Sequence, residues 1–213
     1  MEKIDKIYEK IHPGYFALIG VIIFLIGLIP GMLVESDFSF FATYLVRLAI
    51  PSNDLYILFN ISKSISAIFQ MIFFLGFTRY LQEKGIGVVI TWSTFILGVI
   101  SSIGWIGSAI FVVAEAYDVQ SIFVLILFFG GILYLFSYAY VEWKSSGFSI
   151  VQALFNIIVA IFFIIYLTGI FITNLGRDVP LDFQGTYAFT SWLWIFAYLI
   201  WFLETGIYIL LKK

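Results

Sequence analysis

Six runs of about twenty mostly apolar residues, at 14–34, 55–77, 86–113, 121–141, 149–173 and 187–211, leave this chain one solvent to fold in. A helix rising 1.5 Å per residue needs about 20 residues to cross a hydrocarbon core of roughly 30 Å, so each run reads as a transmembrane helix. Only 11% of the 213 residues are charged and 62% are hydrophobic, where a soluble domain carries about 25% charged residues. The mean hydropathy of +1.08 agrees. The expected fold is an all-α integral membrane bundle of six transmembrane helices in one domain, 14–213, preceded at 1–13 by a short amphipathic helix.

That first stretch, "EKIDKIYEKI", sets Ile4, Ile7, Tyr8 and Ile11 on one helical face and Lys3, Lys6 and Lys10 elsewhere, the pattern of a helix lying on a membrane surface. His12, Pro13 and Gly14 then turn the chain into the bilayer. The first apolar run outlasts the core of a signal peptide and has no small-residue cleavage site, so it reads as a retained span. The linker "FSFFATYLVRLAI" is half apolar and is expected to lie along the interface as a second short helix.

Basic residues orient the bundle, because loops rich in Lys and Arg stay in the cytoplasm. One side holds Lys3, Lys6, Lys10, Arg79, Lys84, Lys144, Lys212 and Lys213; the other holds Arg47 and Arg177. Both termini are therefore expected in the cytoplasm, with the protein multi-pass in the cell membrane. The acids Glu35, Asp37, Asp54, Glu115, Asp118, Asp178 and Asp182 gather outside, as that topology leaves them.

Several chemistries are excluded. The chain has no cysteine and a single histidine, His12, which removes thiolate and disulfide chemistry, a bis-histidine haem and a His-rich metal site. No nucleophile elbow or phosphate-binding loop occurs. A net charge of -2 without a basic patch offers nothing to nucleic acid. No catalytic residue, metal ligand or cofactor is expected. Membrane lipids are the expected partners, and a membrane-protein partner or a second copy of the chain stays open.

"LFNI" opens both the second run, at Asn60, and the fifth, at Asn156, as it would in two inverted halves of a transporter. Composition this rich in Ile, Phe and Leu supplies such a match by chance. The continuations need a gap to align, and Lys63 has no counterpart in the fifth run. The broken-helix marks of such transporters reduce to Pro30-Gly31 and Gly130-Gly131.

Ionisable groups at membrane depth cost a few kcal/mol and need a reason to be there. Lys63 and Glu204 are the two such groups, each about 12 Å from the end of its run. A Lys63–Glu204 pair across the bundle is geometrically allowed and would form a proton or cation relay. The plainer arrangement has Lys63 snorkelling outward toward Asp54 or Glu115, with Glu204 reaching inner headgroups or Tyr208. Asn60, Lys63, Ser64, Ala67 and Gln70 recur at helical spacing, a polar stripe that must face protein or water. In the third run, Gly98-x-x-x-Ser102 and Gly104-x-x-x-Ser108 permit close helix approach. These features mark the second and third runs as interior helices, and Asn60, Lys63, Ser64, Gln70 and Glu204 as ligand or ion-pathway candidates. The abundant phenylalanine reads as lipid-facing, with Trp92, Trp143, Trp192 and Tyr187 as interfacial anchors.

With "SNDLYILFN" leading into the second run and "WLWIFAYLIWFLETG" closing the last, the chain resembles a six-span family of archaea and bacteria classed as a domain of unknown function. That family is itself similar to the eukaryotic DRAM and Frag-like membrane proteins. The resemblance implies a six-helix bundle with recurrent polar positions at Asn60 and Glu204. Members often carry a histidine before the fourth span, where this chain reads "EAYDVQS", a departure that weighs against a shared catalytic role. The eukaryotic likeness points to lipid-linked roles by analogy of fold alone. The leading expectation is a non-enzymatic six-span bundle with a polar interior around the second span, serving transport or a lipid-associated structural role. The alternatives are a secondary transporter or cation pathway through Lys63 and Glu204, and an intramembrane lipid-modifying enzyme.

Overall fold

A computed structural model describes residue 8 and residues 11–112, 117–145, 147–174 and 181–212. Six helices long and apolar enough to cross a membrane account for most of them. They are α1 (Pro13–Val34), α2 (Tyr56–Glu83), α3 (Val88–Ile110), α4 (Tyr117–Lys144), α5 (Ile150–Asn174) and α6 (Leu181–Leu211), with a 3-10 helix at Leu45–Ala49 between α1 and α2. Of the N-terminal amphipathic stretch only Tyr8 and residues from Ile11 onward fall among the described residues. The Tyr8 hydroxyl donates to the carbonyl of Ile72 at 2.6 Å. His12 caps α1, its Nδ1 accepting from the Gly14 N–H at 3.3 Å.

Each helix packs on its neighbours in sequence and α6 returns to α1, closing a ring. Six alternating helices put Pro13 and Leu211 on one side, the terminal side; the other is the distal side. Short loops make this order the natural one, since antiparallel neighbours need only a few residues to connect.

The ring has no central helix. The most enclosed is α6, half of whose spanning window is buried, against 39% for α2 and α3, so the polar and small-residue stripes misidentify the interior elements. What fills the centre is aromatic. Trp194, Tyr198, Trp201 and Phe202 recur three and four residues apart on α6 and are at most 5% exposed, one face of the helix. They meet Phe73 and Phe74 of α2, Trp105 of α3, Tyr134 and Tyr138 of α4, and Phe163 of α5. Phenylalanine is thus divided between core and surface: Phe24, Phe59, Phe73, Phe74, Phe77, Phe128, Phe163 and Phe202 are buried while Phe129, Phe136 and Phe171 stay exposed. The buried set is needed because a ring of six helices leaves an axial space that only large side chains fill to native density.

Small residues set the helix spacing where expected. A Cβ on Gly104 would lie 2.7 Å from the Leu127 Cα, and one on Gly130 2.9 Å from the Ser101 nitrogen, so α3 and α4 touch backbone to backbone. The Ser101 hydroxyl donates to the Leu127 carbonyl across the same contact at 2.9 Å. Neither Pro30-Gly31 nor Gly130-Gly131 breaks its helix: α1 and α4 run through them.

The half-apolar linker forms the short 3-10 helix and caps the distal end of the bundle. Leu45, Leu48 and Ala49 are buried, and the segment is tied down on several sides. Trp192 Nε1 donates to the Thr43 carbonyl at 2.6 Å, and the Leu45 N–H to Ser191 Oγ at 3.1 Å. Arg47 pairs with Glu35 at 3.2 Å, and Asn53 donates to Glu35 and to the Gly31 carbonyl. Trp192 is therefore a buried strut and not an interfacial anchor. Trp192→Phe keeps the ring and removes one buried hydrogen bond, an expected loss of about 1 kcal/mol, read as faster tryptic cleavage after Arg47 with the rest of the bundle intact.

Candidate functional site

Polar side chains of the interior sit at three levels. At the distal level, Lys63 lies seven residues into α2, about 10 Å along the helix, and its ammonium reaches back to Ser108 near the end of α3. Nζ donates to Ser108 Oγ at 2.8 Å and stands 5.7 Å from the centre of the Trp105 ring. Ser108 passes its own proton to the Trp105 carbonyl at 2.9 Å, leaving a lone pair for the lysine. Neither Asp54 nor Glu204 takes part, so the Lys63–Glu204 pair is not formed; Glu115 lies outside the described residues. Lys63 lines a cavity of about 90 Å³ with Trp105, Ser108, Gln120, Val124 and Trp194 among its walls.

Of the rest of the α2 stripe, Asn60 donates to the Ala49 carbonyl of the distal cap at 2.7 Å, and Ser64 bonds back to the Asn60 carbonyl of its own helix at 2.9 Å. Both serve the fold locally. Gln70 forms the middle level. It accepts from the Tyr198 hydroxyl at 3.1 Å and donates to Ser66 at 3.4 Å, in fully enclosed surroundings.

The terminal-side level is the largest, and its main members are absent from the candidates read from the sequence. Asn156 of α5, 1% exposed, donates to Glu142 Oε2 at 2.6 Å and to the Gln152 carbonyl at 2.9 Å. Its Oδ1 accepts from Trp201 Nε1 at 2.7 Å. Gln152 then donates to Glu204 Oε1 at 3.1 Å, and Thr205 to Glu204 Oε2 at 3.4 Å. Glu204 therefore meets neither Lys63 nor Tyr208; Tyr208 instead donates to the Gly147 carbonyl. Three helices, α4, α5 and α6, supply this network.

Glu142 escapes the sequence reading because it falls in the linker "EWKSSG" once the fourth run is ended at Val141. In the structure α4 continues to Lys144, and Glu142 is 2% exposed. A signal was present: Tyr134, Tyr138 and Glu142 are spaced by four, one helical face that happens to be polar only at its tips.

Family models, curated proteins and solved structures yield no match to this chain. The geometry of these levels is therefore what bears on function. Among the described residues no group of three His, Cys, Asp or Glu side chains is placed to hold a metal ion. The distal level joins a charged group to a cavity, whereas the terminal-side level joins two carboxylates through amides in packed surroundings.

Proposed function

We propose that this polytopic membrane protein is non-enzymatic and receives a solute, or the polar end of an amphiphile, in its distal cavity, as part of a transport or lipid-associated role. One observation carries the reading: an ammonium at membrane depth lines a cavity and is held there by the Ser108 hydroxyl and the face of Trp105, with no carboxylate partner among the described residues. An intramembrane charge without a counter-charge marks a functional site more often than a structural one. Arg79, Lys84, Lys144 and Lys212 on the terminal side support cytoplasmic termini in the cell membrane, which makes the distal side the outer one. Kinship with the six-span family of unknown function is part of the same proposal, resting on Asn60 and Glu204.

A relay through Lys63 and Glu204 is the weaker reading, because Trp105, Tyr198 and Trp201 pack ring against ring between the two levels.

Cysteine chemistry tests the reading cleanly, since the chain has no native thiol. Val124→Cys is expected to react with a membrane-impermeant thiosulfonate added on the distal side of proteoliposomes. Ala160→Cys, fully buried in α5, is expected to stay unmodified. Silence at Val124→Cys, and equally at Gln120→Cys, would remove the reading.

A further inference from the structure

We infer that the distal cavity is a binding site for a small monoanionic carboxylate. The inference rests on the reading above, that water reaches the cavity, and adds the chemistry of what enters it. An ammonium carries three donor protons, and Lys63 spends one on Ser108. No carboxylate among the described residues lies within ion-pairing distance of Nζ. Two residues lining the same cavity carry further donors: the indoles of Trp105 and Trp194 are 1% and 5% exposed, and neither Nε1 has a hydrogen-bond partner. Buried N–H groups left unpaired are rare and costly. The unpartnered acceptor Asn60 Oδ1 lies one turn before Lys63 and does not line the cavity.

Gln120 and Tyr166 also line the cavity and can accept as well as donate, but among the described residues its charged group and its unpartnered groups are all donors, the complement of an anion. One positive charge matches one negative charge; a phosphate dianion would ask for a second cation. The volume of about 90 Å³ is far below the roughly 300 Å³ at which drug-sized sites begin, enough for a carboxylate with a short carbon tail. Phe24, Phe59 and Phe128 complete the walls and suit that tail. The same chemistry comes from a free short-chain acid or from the carboxylate end of a fatty acid.

Labelling of Val124→Cys reads this directly, with rates normalised to a free thiol in solution. An anionic sulfonatoethyl thiosulfonate is expected to react at least about tenfold faster than a cationic trimethylammonioethyl one, the scale on which a charged cleft concentrates its counter-ion. Adding Lys63→Met should abolish that preference, and Lys63→Arg should keep it, which separates lost charge from lost folding. Butyrate should protect the thiol in the lysine protein and not in Lys63→Met. Protection by butyrate points to a free acid and protection by dodecanoate alone to a fatty acid; either supports the site. Equal normalised rates for the two reagents, or protection by chloride as strong as by butyrate, would overturn the carboxylate assignment while leaving water access standing. No labelling by either reagent would overturn both.

Discussion

Asn156→Leu is expected to destabilise the bundle by about 2–3 kcal/mol, the largest effect of any single polar substitution here. The change roughly keeps side-chain volume and removes three hydrogen bonds at once, to Glu142, to Gln152 and from Trp201. Interhelical hydrogen bonds in membranes average only about 0.6 kcal/mol, because the unfolded chain finds other partners. Two features raise the figure at this site. The acceptor is the carboxyl group of Glu142, 2% exposed, which is left buried without its donor, and the indole N–H of Trp201 is stranded with it. The measurement is unfolding in mixed micelles with increasing dodecyl sulfate. Glu142→Leu alone should also destabilise, but the double variant should lose less than the sum of the two, by more than about 1 kcal/mol. Additivity within about 0.5 kcal/mol would mean that the Glu142–Asn156 contact carries no coupling.

Gly104→Ala should cost about 2 kcal/mol or more, for a steric and not a polar reason. Its new Cβ would fall 2.7 Å from both the Leu127 Cα and the Phe123 carbonyl oxygen. Those atoms are backbone and cannot rotate away, so the helices must separate, and every contact along the α3–α4 seam loosens together. Gly87→Ala is the control for space: the nearest atom to its Cβ is Ile90 Cγ2 at 4.0 Å, so the loss should stay below about 1 kcal/mol, the preference for glycine over alanine at a helix N-cap. Thermal stability in detergent ranks the two, and equal behaviour would show that close approach of α3 and α4 does not limit stability.

Much of this architecture was legible in the residues. Crossing a bilayer demands a length and an apolarity that the runs display, so four of the six helices start within two residues of their expected positions, with α4 and α6 starting four and six residues earlier. The Gly104 and Ser101 approach was legible for a similar reason, since small side chains at helical spacing have one geometric consequence. The candidate site was legible only in part. Lys63 stood out because a charge amid apolar residues is conspicuous, whereas Asn156 stood in a run that looked almost featureless. Its importance comes from Glu142, Gln152 and Trp201, which reach it from positions 14, 4 and 45 residues away. No local pattern encodes such a meeting.

The sequence by itself determined the solvent and the number of crossings, because each follows from the cost of placing residues in hydrocarbon. Tertiary structure alone decided what the side chains face. Lys63 turned toward Ser108 and a cavity, the Lys63–Glu204 pair did not form, and one set of Phe and Trp filled the axis while Phe129, Phe136 and Trp143 stayed outside. The reason is that lipid and protein interior are about equally apolar, so hydrophobicity cannot sort aromatic residues between them. Shape and hydrogen bonding across the ring do the sorting, and both exist only once the six helices are assembled.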